Sequence, residues 1–196
     1  MIFPGMPSSA APKQTHGKYK GREKVFAGVE MLMEISYGVD PRLMTSKRNL
    51  NRHMRDVNRR VLLHWHEHMR PVHFTTPGFS KYKFQRRTNA TVRIKKEVYH
   101  HNLPLVQKGL AKSLTGNVKW VRVTPTRGRL MMHGPWYLAH RTKRKKGGLS
   151  PDLQHELTRV DLADARKLAL MGSKLLREKL EEDKQRRLGA HVVKGK

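Results

Sequence analysis

The sequence predicts an α+β fold behind an extended basic N-terminal arm. Three patterns carry that reading. Apolar residues recur every three or four positions across 45–69 and again across 162–187, the period of an amphipathic helix. Alternation of period two marks 29–37 and, less regularly, 117–133 as strands. The start of the chain, residues 1–22, holds no acid and carries Pro4, Gly5, Pro7, Lys13, Lys18, Lys20 and Arg22. Such a terminus has little structure of its own unless a neighbour or a polyanion orders it.

In the first strand Val29, Met31, Met33, Ile35 and Tyr37 fall on one side, with Glu30, Leu32, Glu34 and Ser36 on the other. A lone strand ahead of the main body needs a sheet edge, in its own subunit or the next. Those five apolar residues are therefore subunit-interface candidates. Asp40-Pro41 breaks the chain, and a helix begins near Thr45 or Ser46. Leu50, Met54, Val57, Val61, Trp65 and Met69 share its inner face. Lys47, Arg48, Arg52, Arg55, Arg59 and Arg60 occupy the others, as either a solvated face or one that contacts phosphate.

Pro71 closes that helix, and 73–87 (HFTTPGFSKYKFQRR) follows as an aromatic, basic segment. His64 and His68 lie one helical turn apart, but Glu67 directly precedes His68, the wrong order for the zinc-protease motif. Packing or interface roles suit these histidines better. Between 81 and 96, Lys81, Lys83, Arg86, Arg87, Arg93, Lys95 and Lys96 interleave with Tyr82 and Phe84 without an acid. That mixture suits stacking and phosphate contact, and equally a loop that tucks two aromatics onto its own domain. Arg86, Arg87, Lys95 and Lys96 are polyanion-contact candidates on the first view.

Asn102–Leu114 reads as a proline-led loop entering a short helix, and 117–133 as a β-hairpin turning at Pro125–Gly128. Gly134-Pro135-Trp136-Tyr137 ends the hairpin. The run that follows, with Arg141, Lys143, Arg144, Lys145 and Lys146 before two glycines, reads as a mobile loop and the strongest candidate for contact with a polyanion. His155–Val160 (HELTRV) reads as a short strand. Asp161 then caps a helix to residue 187, with Asp164 near its positive end. Leu162, Ala165, Leu168, Ala169, Gly172, Leu175, Leu176 and Leu180 form its stripe. The division expected is an arm over 1–40, one α+β domain over 41–187, and a flexible basic tail over 188–196.

Charge bounds the function. The 196 residues carry 42 Lys and Arg against 15 Asp and Glu, a formal net charge of +27. Such a chain repels itself, and nucleic acid is the first remedy to consider. No apolar run is long enough to span a membrane, and none reads as a signal-peptide core. The absence of cysteine excludes disulfides and thiolate metal sites. The sequence has no Gly-rich phosphate loop, nucleophile elbow or usefully spaced carboxylate pair. The expectation is a binding protein, with no catalytic residues, metal or cofactor.

The order of motifs resembles the tail-completion, or neck, proteins of long-tailed bacteriophages. The matching residues are His73, Phe74, Tyr82, Pro104, Leu105, Val106, Gly109, Leu110, Pro135, Tyr137, Glu156, Leu157 and Thr158, within roughly 45–187. Gln107-Lys108 departs from the small hydroxyl residue expected before the glycine, and 1–40 has no counterpart. The resemblance implies a small antiparallel sheet with the first and last helices against it. It also implies a homo-oligomeric ring at the head–tail junction of a virion, made in the host cytoplasm. The partners implied are portal or adaptor proteins, tail proteins and the packaged DNA. His73, Phe74 and Tyr82 join the interface candidates on this ground. An RNA-binding protein of a particle such as a ribosome is the alternative that charge alone supports.

Overall fold

A computed structural model describes residues 26–38, 41–43, 45–103, 105, 110–135, 138 and 152–193. The fold is mixed α+β, with a small three-stranded antiparallel sheet and several helices. Strand β1 is Phe26–Glu34, β2 is Val118–Val123 and β3 is Arg127–Pro135, in the order β1-β3-β2. The first strand thus finds its sheet edge in its own chain. The expected alternation holds: Val29 and Met31 are buried, Met33, Ile35 and Tyr37 half-buried, and Leu32, Glu34 and Ser36 exposed. The strand ends at Glu34, three residues before the expected end. The central strand is apolar and buried at Leu130, Met131 and Met132, as a strand covered on both edges and faces should be.

Contacts divide the chain into two compact units. One comprises the chain up to Met31, His66–Trp120 and Leu130–Asp161; the other comprises Leu32–Trp65, Val121–Arg129 and the chain from Leu162. The expected division into an arm, one domain and a tail placed no boundary at these positions.

In the second unit, helix α1 (Lys47–His64) starts where Ser46 accepts a hydrogen bond from the Asn49 amide, a side-chain N-cap. Its inner face buries Val57, Val61 and Leu62. The last helix, labelled α6 (Leu162–Val193), continues beyond the expected end at 187, so the segment expected to be a flexible tail is helical through Val193. Two cross-links set α1 and α6 antiparallel: His53 Nε2 to Asp183 at 2.7 Å, and Lys179 Nζ to Asp56 at 2.6 Å. The inner stripe of α6 is narrower than expected. Asp164, Leu168, Gly172, Leu176, Leu180 and Asp183 are buried, whereas Leu162, Ala165 and Ala169 are exposed. Asn58, wholly buried, accepts from the Tyr37 hydroxyl at 2.8 Å and donates to the Thr124 and Pro125 carbonyls. Burial pushes the Tyr37 hydroxyl up to about 12.

Trp65–Met69 forms a π-helical turn, and in the first unit Arg70–Phe74 forms a 3-10 helix. Pro71 accounts for the change, because its ring cannot pass the carbonyl four residues earlier in an α-helix. Four short helices follow: α2 (Thr76–Lys81), α3 (Asn89–Tyr99), α4 (Leu110–Leu114) and α5 (Leu153–Thr158). Gly78 is required in α2, since a Cβ there would collide with the Val72 carbonyl oxygen, a backbone atom that cannot move aside.

Two elements differ from expectation. The segment 155–160, expected to be a strand, lies largely within α5. Asp152 caps that helix by accepting from the His155 amide at 3.0 Å, and Glu156 and Leu157 turn inward. Residues 89–99, which overlap the basic segment 81–96 read as either a phosphate-contacting stretch or an exposed loop, form α3. Thr88 caps its start, and His100 ends it in the left-handed conformation at φ 52°.

Candidate functional site

The segment that opens the resemblance packs as a single cluster in the first unit. His73, Phe74, Tyr82 and Phe84 are buried, and the His73 and Tyr82 rings stack at 3.7 Å between centroids. Tyr82 and Phe84 therefore tuck onto their own domain rather than wait for bases. The His73 ring sits between two acceptors, the Met69 carbonyl at 3.1 Å from Nδ1 and the Arg159 carbonyl at 2.8 Å from Nε2. Carbonyls only accept, so a neutral ring donates to one of them and an imidazolium to both. Phe74 completes this wall beneath the Arg70 guanidinium.

Glu156 ties the same cluster from the other side. It accepts from the Gln85 amide at 2.9 Å and from Arg87 through both carboxylate oxygens, with its side chain 6% exposed. Arg87 also donates to the Gln85 carbonyl. A bidentate Arg–carboxylate pair at this depth is an internal tie.

Next to it, Arg70 is buried and donates to the His66 and Lys112 carbonyls and to the Thr115 hydroxyl. It thereby satisfies acceptors at the end of α4 that no helical amide reaches. His66 donates to the Thr115 carbonyl at 2.9 Å, and burial holds its ring below the usual histidine range. These are packing roles, with no open coordination or nucleophile.

The expected contact residues separate into three groups. Arg86 and Lys96 are exposed. Arg87 is engaged by Glu156, and Lys95 turns inward to donate to the Leu103 carbonyl at 2.6 Å. Burial, with Arg87 nearby, pulls the Lys95 ammonium down to about 8. Arg141, Lys143, Arg144, Lys145 and Lys146 lie outside the described residues, as do Pro104, Val106, Gly109 and Tyr137 of the resemblance.

The structure places the interface candidates within this chain. Val29, Met31, His73, Phe74 and Tyr82 are buried in this chain, and Met33, Ile35 and Tyr37 are half-buried. The reason is the intramolecular sheet edge that β1 occupies and the aromatic packing around His73. Apolar surface lies elsewhere in the first unit. Helix α3 buries none of its residues, and Ala90, Ile94 and Val98, one turn apart in succession, all face solvent.

The α1 arginines, left undecided by the sequence, stand clear in the second unit. Arg48, Arg52, Arg55 and Arg59 are exposed along one side of the helix. An open groove of about 770 Å³ in the same unit is lined by Leu43, Glu178, Glu181, Glu182, Lys184, Gln185 and Arg186. Glu181 and Glu182 are engaged there by Arg177 and Arg186.

Among the described residues no three His, Asp or Glu side chains converge to hold a metal ion, and no helix is long and apolar enough to cross a membrane. No family model, curated protein or solved structure matches the chain.

Proposed function

We propose that this chain is a non-enzymatic structural subunit of a phage neck. It would form an oligomeric ring that joins the portal or head-completion complex to the tail around the DNA path. One observation carries the reading: motifs far apart in sequence serve one core. His73 stacks on Tyr82 and reaches the Arg159 carbonyl, and Glu156 secures Gln85 and Arg87. Residues that define a scaffold should meet in this way, and His73, Tyr82 and Glu156 among them carry the resemblance. A ring closes through a heterologous interface, in which two different surfaces of the subunit meet. The exposed stripe of Ala90, Ile94 and Val98 on α3 supplies one apolar surface for a neighbour.

The test is mass spectrometry of density-gradient-purified particles from the source cells. The expected result is co-purification with intact tailed virions, at the few to a dozen or so copies that a closed ring supplies. Co-purification with ribosomes or other RNA-containing particles would replace this reading with the RNA-binding one.

A further inference from the structure

We propose that the outer face of α1 is a binding site for the phosphate backbone of double-stranded DNA, made by Arg48, Arg52, Arg55 and Arg59. The intervals of four, three and four residues place these side chains within one narrow sector of the helix. They span eleven residues, a rise of about 16 Å at 1.5 Å per residue. All four are exposed and none makes an ion pair or hydrogen bond among the described residues; Arg52 lies near enough to Asp183 to help hold its carboxyl down.

Several other cations of the unit are paired. Asp56 takes Lys179 and Arg60, Glu34 takes Arg127, Glu181 takes Arg177, and Glu182 takes Arg186. Asp183 is engaged by His53. These acids have other partners, and four neighbouring guanidinium groups repel one another until an external anion lies along them.

The form of the anion follows from what the face lacks. Between residues 47 and 64 there is no Phe, Tyr or Trp, so no base can be stacked there as single-strand binding requires. Arginine donates in a planar fork suited to phosphate oxygens. A rod about 10–12 Å across fits the roughly 12 Å major groove of B-form DNA, whereas the narrow major groove of an RNA duplex does not admit it. Contact is with phosphates, independent of sequence.

The site rests on charge geometry alone and does not depend on the neck reading. A ribosomal or other location would leave it standing, and its failure would leave the virion experiment unaffected.

The test uses the full chain and a short mixed-sequence DNA duplex, with affinity measured across a salt series. One variant changes Arg48, Arg52, Arg55 and Arg59 to Gln. A matched variant changes Arg166, Lys167, Lys174 and Lys184, exposed on α6 in the same unit, to Gln. Glutamine keeps helix propensity, and circular dichroism checks the fold of both. Loss of four phosphate contacts should make the slope of log affinity against log salt shallower by about 3.6, at about 0.9 per contact. Affinity at low salt should fall about tenfold or more in the first variant, on the scale of several lost charge-assisted contacts. The matched variant should stay within about threefold of the parent, since general charge acts weakly through salt. Equal weakening of the two variants, an unchanged first variant, or tighter binding of an RNA duplex of the same sequence would each overturn the site.

Discussion

Removal of the Glu156 carboxylate gives the sharpest test of the first unit's core. Glu156→Ala deletes the acceptor for the Gln85 amide and both acceptors for Arg87. The Arg87 side chain is only 11% exposed, so the guanidinium would remain largely out of water without its counter-ion. Breaking a buried pair from one side costs about 3–5 kcal/mol, because the remaining charge stays desolvated. At about 2–4 °C per kcal/mol for a chain of this size, the melting temperature should fall by about 6–20 °C. Arg87→Ala should cost less, because Glu156 keeps the Gln85 amide as a partner. In the double variant Glu156→Ala/Arg87→Ala both charges go, and its loss should be smaller than the sum of the single losses by about 1–3 kcal/mol of coupling. Urea unfolding of the four proteins, followed by near-UV circular dichroism, reads all of these values. A loss below about 1 kcal/mol for Glu156→Ala, with additive effects in the double variant, would match a surface pair and refute the buried tie.

Two further predictions concern pH. The hydrogen bond from His53 holds the Asp183 carboxyl below the usual carboxylate range, a depressed folded value. Its stabilisation is therefore present above about pH 4 and is lost as pH falls through the folded value. Asp183→Asn should be less stable than the parent at neutral pH and should approach it in acid melts, and a constant difference down to low pH would contradict this. Lys95, pulled down to about 8 by burial, gives a slope of the same sign at higher pH. Above its folded value the unfolded chain binds more protons, so stability should rise from pH 8 towards the ordinary lysine value near 10.5. Lys95→Met should remove that rise, and NMR of the Lys95 side chain should show a midpoint near 8. A midpoint near 10.5 would mean that the ammonium is solvated.

The long-period elements were legible because their signals are local. Ser46 caps α1, the spacing from Leu50 to Trp65 faces inward, and the pair of strands around Pro125 follows from turn chemistry. Helix α3 escaped because its segment was judged by composition. Thr88 ahead of Val92 and Tyr99 was the available signal, a cap followed by residues at helical spacing. Helix α5 escaped because six residues of mixed polarity fit either period. Asp152 at its start was the only cap, and the sequence reading began at His155. The role of Glu156 was not legible at all. Its partners lie 69 and 71 residues away, and no local rule carries information over that distance.

The allocation of charge gives the clearest link between this sequence and its function. With 15 acids for 42 lysines and arginines, most cations must go without an internal partner. The structure places four of its acids where they tie elements together: Glu156 across the aromatic cluster, Asp56 and Asp183 between α1 and α6, and Glu34 at the end of β1. Acids placed at random would neutralise the surface in patches. Acids committed to structural ties leave the surplus cations concentrated on faces such as the outer side of α1. A surface of this kind raises solubility but lowers the stability of the isolated chain through self-repulsion. That cost is relieved wherever a polyanion lies along the face, so the chain should be most stable when bound to one.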